Sequence, residues 1–302
     1  MPSQVQEQGT ILASFLSRGV SPERIAPMLY RAKSLKGYRL KSKDGEIGKV
    51  KEFYFDDNHW TIRYLVADTG SWLTGKQVLL SPYALLEVNE EEKYVSVSLT
   101  KKQIENSPPL SFDKPVSRQF ESDYYGYYGW PTYWTGEYMW GYYPYIARDP
   151  ESMSKVDQTL ETSWDPDLRS THDVTGRHLE ANNGSIGHIA DFLIDDETWA
   201  IRYLVIDTRN YWPGKKVLIS PKWIESLSWE ESKIVVNLSK ESIKLSPEYQ
   251  DDVPITREYE DSLYRHYERE AYWKDEAEAK GASQFQKYIA SRRDDEIDRT
   301  FY

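Results

Sequence analysis

The stretch WTIRYLVADT at residues 60–69 decides the fold, because the chain repeats it as WAIRYLVIDT at residues 199–208. In the first copy, apolar residues occupy every second position from Trp60 to Val66. This is the period of a β-strand, whose successive side chains point to opposite faces. The other face is mixed, since it carries Thr61 and Arg63. A strand with one apolar face and one mixed face predicts a small closed β-barrel.

The residues around this stretch are duplicated at the same offset of 139 positions. Between residues 37–108 and 176–247 we count 30 identities in 72 aligned pairs, without an insertion. The pattern within each copy predicts a long strand, the strand quoted above and several short strands, followed by a short helix. Recurring glycines indicate turns that need a positive φ. The chain is therefore predicted to be mainly β, with two tandem barrels.

The change in composition along the chain predicts five segments. They are an N-terminal helical arm (1–27), the first barrel (28–107), an aromatic-rich acidic linker (108–166), the second barrel (167–247) and a charged helical tail (248–302). In the tail, residues 258–279 contain few helix breakers and are predicted to form one polar helix. The two repeats are expected to pack on each other as a pseudo-symmetric pair, because duplicated domains commonly retain a twofold interface.

The aromatic residues that follow each barrel keep the same spacing in both copies. Tyr125, Tyr128 and Tyr133 of the linker correspond to Tyr264, Tyr267 and Tyr272 of the tail. A disordered spacer has no physical reason to keep such a pattern. We therefore expect these aromatic segments to pack on the barrels that precede them.

Charge and cysteine content exclude several classes of function. The net charge is −11, with the excess acid in the linker and tail, so no basic face for nucleic acid is expected. The absence of cysteine excludes disulfides and thiolate chemistry. No apolar run is long enough to span a membrane, and no secretory leader is recognised. A cytoplasmic location is the expectation.

The polar motifs do not form a catalytic, cofactor-binding or metal-binding constellation. Residues 70–77, GSWLTGKQ, approach a phosphate-binding loop, but Gln77 stands where a Ser or Thr would hold magnesium. The five histidines lack metal-ligand spacing. The adjacent carboxylates Asp56-Asp57 and Asp195-Asp196 are interpreted as turn formers. No enzymatic activity, cofactor or metal is predicted.

Four side chains are candidate contacts for a partner. Trp72 and Leu73 in the first copy, and Tyr211 and Trp212 in the second, lie at predicted loop tips. Exposed aromatic residues at such positions can anchor a protein partner. The alternative is that they cover the open end of each barrel.

The order of these motifs resembles the PRC-barrel family. The resemblance rests on DGEIGKVKEFYFD at residues 44–56, IRYLV at 62–66, Gly75-Lys76 and VLLSP at 78–82, with Asn183 and Ile189 replacing Asp44 and Val50 in the second copy. The family is similar to the cytoplasmic domain of the photosynthetic reaction-centre H subunit and to the C-terminal domain of the ribosome maturation factor RimM. The resemblance implies small β-barrels that act by binding other macromolecules and are not enzymes by themselves.

The function expected from these observations is a non-enzymatic scaffold or adaptor that binds a protein. One alternative is a small-ligand binder or enzyme with a pocket between the barrels. By family analogy alone, another is an accessory factor in photosynthetic electron transfer or ribosome maturation. A homo-oligomer is also compatible with the sequence.

Overall fold

The computed structural model describes residues 28–73, 77–108, 116–130, 132–134, 168–208 and 215–274. The N-terminal arm, most of the linker and the end of the tail lie outside these ranges, as do Tyr211 and Trp212. The described residues form two tandem β domains, each built on a seven-stranded sheet. The mainly β fold predicted from the sequence is thus confirmed.

The two repeats have the same order of elements. In the first repeat these are β1 (Leu29–Arg31), α1 (Ala32–Leu35), β2 (Arg39–Ser42), β3 (Gly45–Asp56), β4 (Thr61–Asp68), β5 (Gln77–Leu80), β6 (Leu85–Asn89), β7 (Tyr94–Val97), α2 (Lys101–Glu105) and α3 (Arg118–Tyr128). In the second repeat they are β8 (Leu168–Ser170), α4 (Thr171–Val174), β9 (His178–Ala181), β10 (Gly184–Asp195), β11 (Ile201–Asp207), β12 (Lys216–Ile219), β13 (Ile224–Ser228), β14 (Lys233–Val236), α5 (Lys240–Leu245) and α6 (Arg257–His266).

Each sheet contains one strand from the other repeat. In the first sheet the order is β5-β4-β3-β2-β7-β6, and β8 pairs with β3. The second has the order β12-β11-β10-β9-β14-β13, and β1 pairs with β10. Closure of either sheet into a barrel is not detected among the described strands, so the closed barrel expected from the sequence stays a prediction. β6 and β13 each lie at the end of a sheet.

The exchanged strands join the repeats symmetrically. Tyr30 of β1 pairs with Ile194, and Arg169 of β8 pairs with Phe55 in the equivalent antiparallel register. Between them, the Ile62 amide donates to the Trp199 carbonyl at 2.8 Å, and the Ile201 amide donates to the Trp60 carbonyl at 2.7 Å. These contacts confirm that the repeats pack on each other as a pseudo-symmetric pair.

The strand of the opening motif is buried on both faces. Tyr64 and Val66 on the apolar face have no exposed surface, but neither do Thr61 and Arg63 on the face predicted to be mixed. One reason is the contact between repeats, where Thr61 forms a β-bridge with Ala200. The mixed face predicted from the sequence is therefore buried as completely as the apolar one.

The aromatic segment after the first barrel packs on it, as predicted. The side chain of Ser117 caps α3 by accepting from the Phe120 amide. Tyr124 and Tyr125 on this helix are buried, and the Tyr124 ring lies edge-on to Tyr64 with centroids 5.6 Å apart. Part of the region interpreted as linker therefore belongs to the first domain.

The predicted long helix in the tail ends earlier than expected. The helix over Arg257–His266 stops where Tyr267 caps it, and Glu268 takes a left-handed φ of 52°. The Arg269 amide closes the turn by donating to the Tyr264 carbonyl at 3.0 Å. This turn places Tyr272 against the guanidinium of Arg202, 4.1 Å from its ring centroid. The cation–aromatic contact and burial of Tyr272 favour the turn over a continuous helix.

Gly48 tests how closely strands β3 and β4 approach each other. Its φ is +133°, and a Cβ atom there would lie 2.1 Å from the backbone oxygen of Asp68. Gly48→Ala is expected to lower the free energy of unfolding by more than about 1 kcal/mol, because both the backbone angle and the contact are unfavourable. Gly126→Ala is the control: it lies within helix α3 with nothing near its Cβ position. Equal midpoints in urea for the two variants would contradict the expected difference.

Candidate functional site

A buried ion pair lies under the hairpin that precedes β4. The carboxylate of Asp56 accepts from the Arg63 guanidinium at 2.7 Å through Oδ2, and Arg63 has no exposed surface. Its other oxygen, Oδ1, accepts from the amides of Asn58 and His59 at 2.8 and 3.2 Å. Asp56 is therefore both the turn former predicted from the sequence and the counter-ion of a buried arginine.

An aromatic and acidic layer covers this ion pair. The Arg63 guanidinium lies 4.1 Å from the ring centroid of Tyr133. The Tyr133 hydroxyl donates to Glu121 Oε1 at 2.6 Å, and the Tyr64 hydroxyl donates to the same oxygen at 2.9 Å. Arg118 pairs with the second oxygen of Glu121 at 3.1 Å. Hydrogen bonds and ion pairs of this kind are what allow charged groups to remain buried.

The second repeat contains the same cluster. The Arg202 guanidinium donates to Asp195 Oδ2 at 2.6 Å and lies over the ring of Tyr272. Glu260 accepts from the hydroxyls of Tyr203 and Tyr272 at 2.8 and 3.1 Å. In each copy these groups form hydrogen bonds with one another. We therefore interpret the cluster as a structural feature of the repeat.

The pKa values in these clusters follow from burial and partners. Burial opposes ionisation of Asp56, but the hydrogen bond from His59 and the charge of Arg63 outweigh it and lower the pKa of this carboxyl. At Glu260 burial is the larger effect and raises the pKa, although Arg257 acts in the opposite direction. Burial also raises the pKa of Tyr64 and Tyr203 well above its ordinary value.

The lowered pKa of Asp56 predicts a loss of stability in acid. The folded protein holds this carboxyl in its charged form at a pH where the unfolded chain, with a pKa near 3.8, begins to bind a proton. Its contribution is therefore present above that pH and lost as the pH falls further. We expect the free energy of unfolding of Asp56→Asn to depend less steeply on pH below about 4 than that of the unchanged protein. Parallel profiles from urea unfolding would contradict this.

A cleft of about 400 Å³ lies between the repeats. One wall is the β3–β4 turn of the first repeat, at residues 57–60. The other wall is built from residues 220–222 and 224–227 of the second repeat, with Ala200, Ile201, Arg202 and Tyr272 also contributing. The wall from the second repeat includes Ile224, Glu225, Ser226 and Leu227, so β13 runs along the cleft with four of its residues.

His59 is the most distinctive polar group of the first wall. Its ring nitrogen Nδ1 lies 2.9 Å from Asp56 Oδ2, and the side chain is partly buried at the edge of the cleft. Next to it, Asp57 pairs with Arg169 at 3.0 Å and accepts from the indole nitrogen of Trp229. The Asp57 carboxylate is thus held by β8 and by the loop after β13, which fixes this wall against the second repeat.

The residues that line the cleft can be compared with those at the equivalent positions of the other repeat. Arg202, Ser220, Pro221 and Tyr272 are matched by identical residues, namely Arg63, Ser81, Pro82 and Tyr133. In contrast, three of the polar lining residues are not duplicated. His59, Lys222 and Glu225 correspond to Thr198, Tyr83 and Leu86. The first four residues are therefore common to both repeats, whereas His59, Lys222 and Glu225 occur only at this cleft.

The partner contacts predicted from the sequence lie elsewhere. Trp72 is half-buried against the core, with the Lys101 ammonium 5.6 Å from its ring centroid, and Leu73 is also half-buried. Neither lines the cleft. Their counterparts, Tyr211 and Trp212, lie outside the described residues. The role of the four residues in binding stays a prediction.

Sequence reasoning did not predict the buried clusters, and it raised a pocket between the barrels only as part of an alternative function. A signal for the ion pair was present, since an aspartate precedes the arginine of the strand by seven positions in both copies. Within the described ranges, no three metal-ligating side chains lie together. Among the helices described here, none is long and apolar enough to cross a membrane.

Comparison with known proteins identifies the family of the first repeat. Residues 28–104 match the PRC-barrel domain, as the motifs at 44–56 and 62–82 predicted. No curated protein of known function matches the chain. The second repeat carries the same order of strands and the same buried Asp–Arg ion pair as the matched region.

Proposed function

We propose that this chain, whose residues 28–104 form a PRC-barrel domain, is a non-enzymatic scaffold or adaptor that binds another protein. The observation that supports the proposal is the duplicated cluster. Two ionisable residues that recur in both copies contact each other in the interior, Asp56 with Arg63 and Asp195 with Arg202. They stabilise each repeat from within, and the surfaces that differ between the repeats are left for recognition.

Two features make a rigid platform for binding. The exchange of β1 and β8 ties each repeat into the sheet of the other. The packed segments α3 and α6 add a second layer of buried aromatic residues to each domain. A rigid surface loses little conformational entropy when a partner binds, and this favours affinity.

The test is affinity purification from the source organism with chemical cross-linking and mass spectrometry. We expect a specific protein to be enriched, with cross-links to lysines of the described domains. A tagged but unrelated acidic protein is the control for charge-driven capture. Enrichment of the same proteins by both baits would contradict a scaffold function.

Catalysis is tested separately. We expect no turnover in assays for hydrolase, transferase and redox activities with the purified full chain. His59 is the group to change, because it pairs with a carboxylate at the edge of the cleft. A reaction that is catalysed by the unchanged protein and abolished in His59→Gln would contradict the non-enzymatic proposal.

The cleft supports a second candidate function, which is the binding of a small ligand between the repeats. Its volume of about 400 Å³ falls within the range of ligand sites, and such sites occur preferentially where domains meet. A thermal shift on addition of a metabolite panel, lost in Lys222→Glu, would favour this candidate over the scaffold.

A further inference from the structure

We propose that the cleft between the repeats binds an extended segment of a partner protein, which adds as a strand to the open edge of β13. This inference rests on the proposed scaffold function and names the kind of partner and the place where it binds. Recognition of this kind obtains its affinity from main-chain hydrogen bonds and its specificity from the neighbouring side chains.

The position of β13 supports main-chain pairing. Among the described strands, β13 pairs only with β14 and lies at the end of its sheet. An edge strand presents a row of N–H and C=O groups that can pair with another chain. Four consecutive residues of this edge, from Ile224 to Leu227, line the cleft. The cleft therefore runs along a strand whose second edge pairs with no other described strand.

The cleft continues an interface that is itself built by strand addition. Trp60 and Ile201, which line the cleft, form the main-chain hydrogen bond between the repeats. On either side of this contact, β1 adds to β10 and β8 adds to β3. A strand bound along β13 would extend the same mode of association into the cleft.

The side chains around the edge specify the chemistry of the partner. Lys222 and Glu225 are exposed on the β13 side, and Asn58 is exposed on the opposite wall next to the half-buried His59. These groups favour a polar segment that carries both an acidic and a basic residue, because charge complementarity fixes register and excludes wrong partners. At the counterpart edge, β6, the equivalent positions are Tyr83 and Leu86. An apolar segment would suit that edge better.

The experiment uses the purified full chain and a displayed library of random peptides of about ten residues, the upper length of a typical strand. The best peptide is synthesised with a fluorescent label, and its dissociation constant is measured by anisotropy. Ser226→Trp fills the cleft at an exposed position of β13. Glu87→Trp places the same side chain at the equivalent exposed position of β6 and is the matched control.

We expect Ser226→Trp to weaken binding by at least about tenfold, or about 1.4 kcal/mol, and Glu87→Trp to leave it unchanged. Lys222→Glu is a second variant that keeps the cleft open, and it is expected to weaken the binding of the same peptide. Circular dichroism and the thermal midpoint verify that each variant is folded. Equal affinities for Ser226→Trp and the unchanged protein would overturn the proposal.

Methylated peptides test the strand pairing itself. An N-methyl group removes one main-chain donor, and alternate residues of a strand direct their N–H groups to the same side. Methylation of the residues whose N–H groups face β13, which are every second residue of the peptide, is expected to abolish binding. Methylation of the residues between them is expected to have little effect. A library that gives no binder, or a peptide that is insensitive to methylation at both sets, would overturn the inference.

The scaffold function and this inference can fail separately. A partner that is captured from the source organism and cross-links only far from residues 57–60 and 220–227 would leave the scaffold function in place and exclude the cleft as its binding site. A small molecule that displaces no peptide but binds in the cleft would instead support the second candidate function.

Discussion

Replacing Arg202 with methionine is expected to lower the free energy of unfolding by about 3–5 kcal/mol, the cost of removing one partner of a buried ion pair. Asp195 is fully buried and accepts from the Arg202 guanidinium at 2.6 Å. Methionine keeps much of the apolar stem but leaves the carboxylate with only the amides of Glu197 and Thr198. Urea unfolding of the full chain measures the effect.

Two further variants separate the charge from the packing. The double variant Asp195→Asn with Arg202→Met removes the uncompensated charge, so it is expected to be more stable than Arg202→Met alone. Arg63→Met is expected to cost less than Arg202→Met, because Asp56 keeps the imidazole of His59 at 2.9 Å as a partner. A loss below about 1 kcal/mol for Arg202→Met would show that the pair does not hold the repeat together.

Removal of the Tyr125 ring is expected to have an effect of similar size. The residue is fully buried on α3, with its hydroxyl 3.3 Å from Ser81 Oγ and its ring edge-on to Trp134 at 5.6 Å between centroids. Truncation of a buried aromatic side chain costs about 3–5 kcal/mol. Tyr125→Ala should therefore lower the midpoint in urea substantially.

Tyr127 on the same helix is the matched control. It is 42% exposed, and its hydroxyl donates to the Gln103 carbonyl at 2.9 Å. Tyr127→Ala removes one exposed hydrogen bond and is expected to cost about 1 kcal/mol or less. An equal loss of unfolding free energy in the two alanine variants would contradict this prediction. It would mean that the buried ring of Tyr125 stabilises the first domain no more than the exposed ring of Tyr127 does.

Much of the fold follows from local spacing in the sequence. Strand β3, the strand of the opening motif and the short helix α2 were predicted, because strand period and helix caps depend on neighbours in the chain. In the structure the side chain of Thr100 caps α2. Recurring glycines were predicted to need a positive φ in turns; Gly48 has a φ of +133°, but it lies within strand β3. The packing of the aromatic segment was predicted because its spacing recurs after 139 residues.

The candidate site could be predicted only in part. The turn-forming role of Asp56 follows from its position in a hairpin. Its pairing with Arg63 and the contact of that arginine with Tyr133 do not, because Tyr133 is 70 residues further along the chain than Arg63. The polar lining of the cleft combines His59 with Lys222, which periodicity in either repeat alone does not relate.

The sequence by itself determined that a β domain was duplicated, that it contains a long strand, the strand of the opening motif and several short strands, and that its aromatic segment packs on it. Each of these follows from spacing within one repeat or from the recurrence of that spacing. Only the tertiary structure decided that β1 and β8 are exchanged, that Arg63 and Arg202 are buried, and that a polar cleft opens beside β13. The physical reason is that these features depend on which surfaces of the two repeats meet. A residue on the face of a strand is buried or exposed according to what covers it, and for both repeats much of that cover comes from distant parts of the chain.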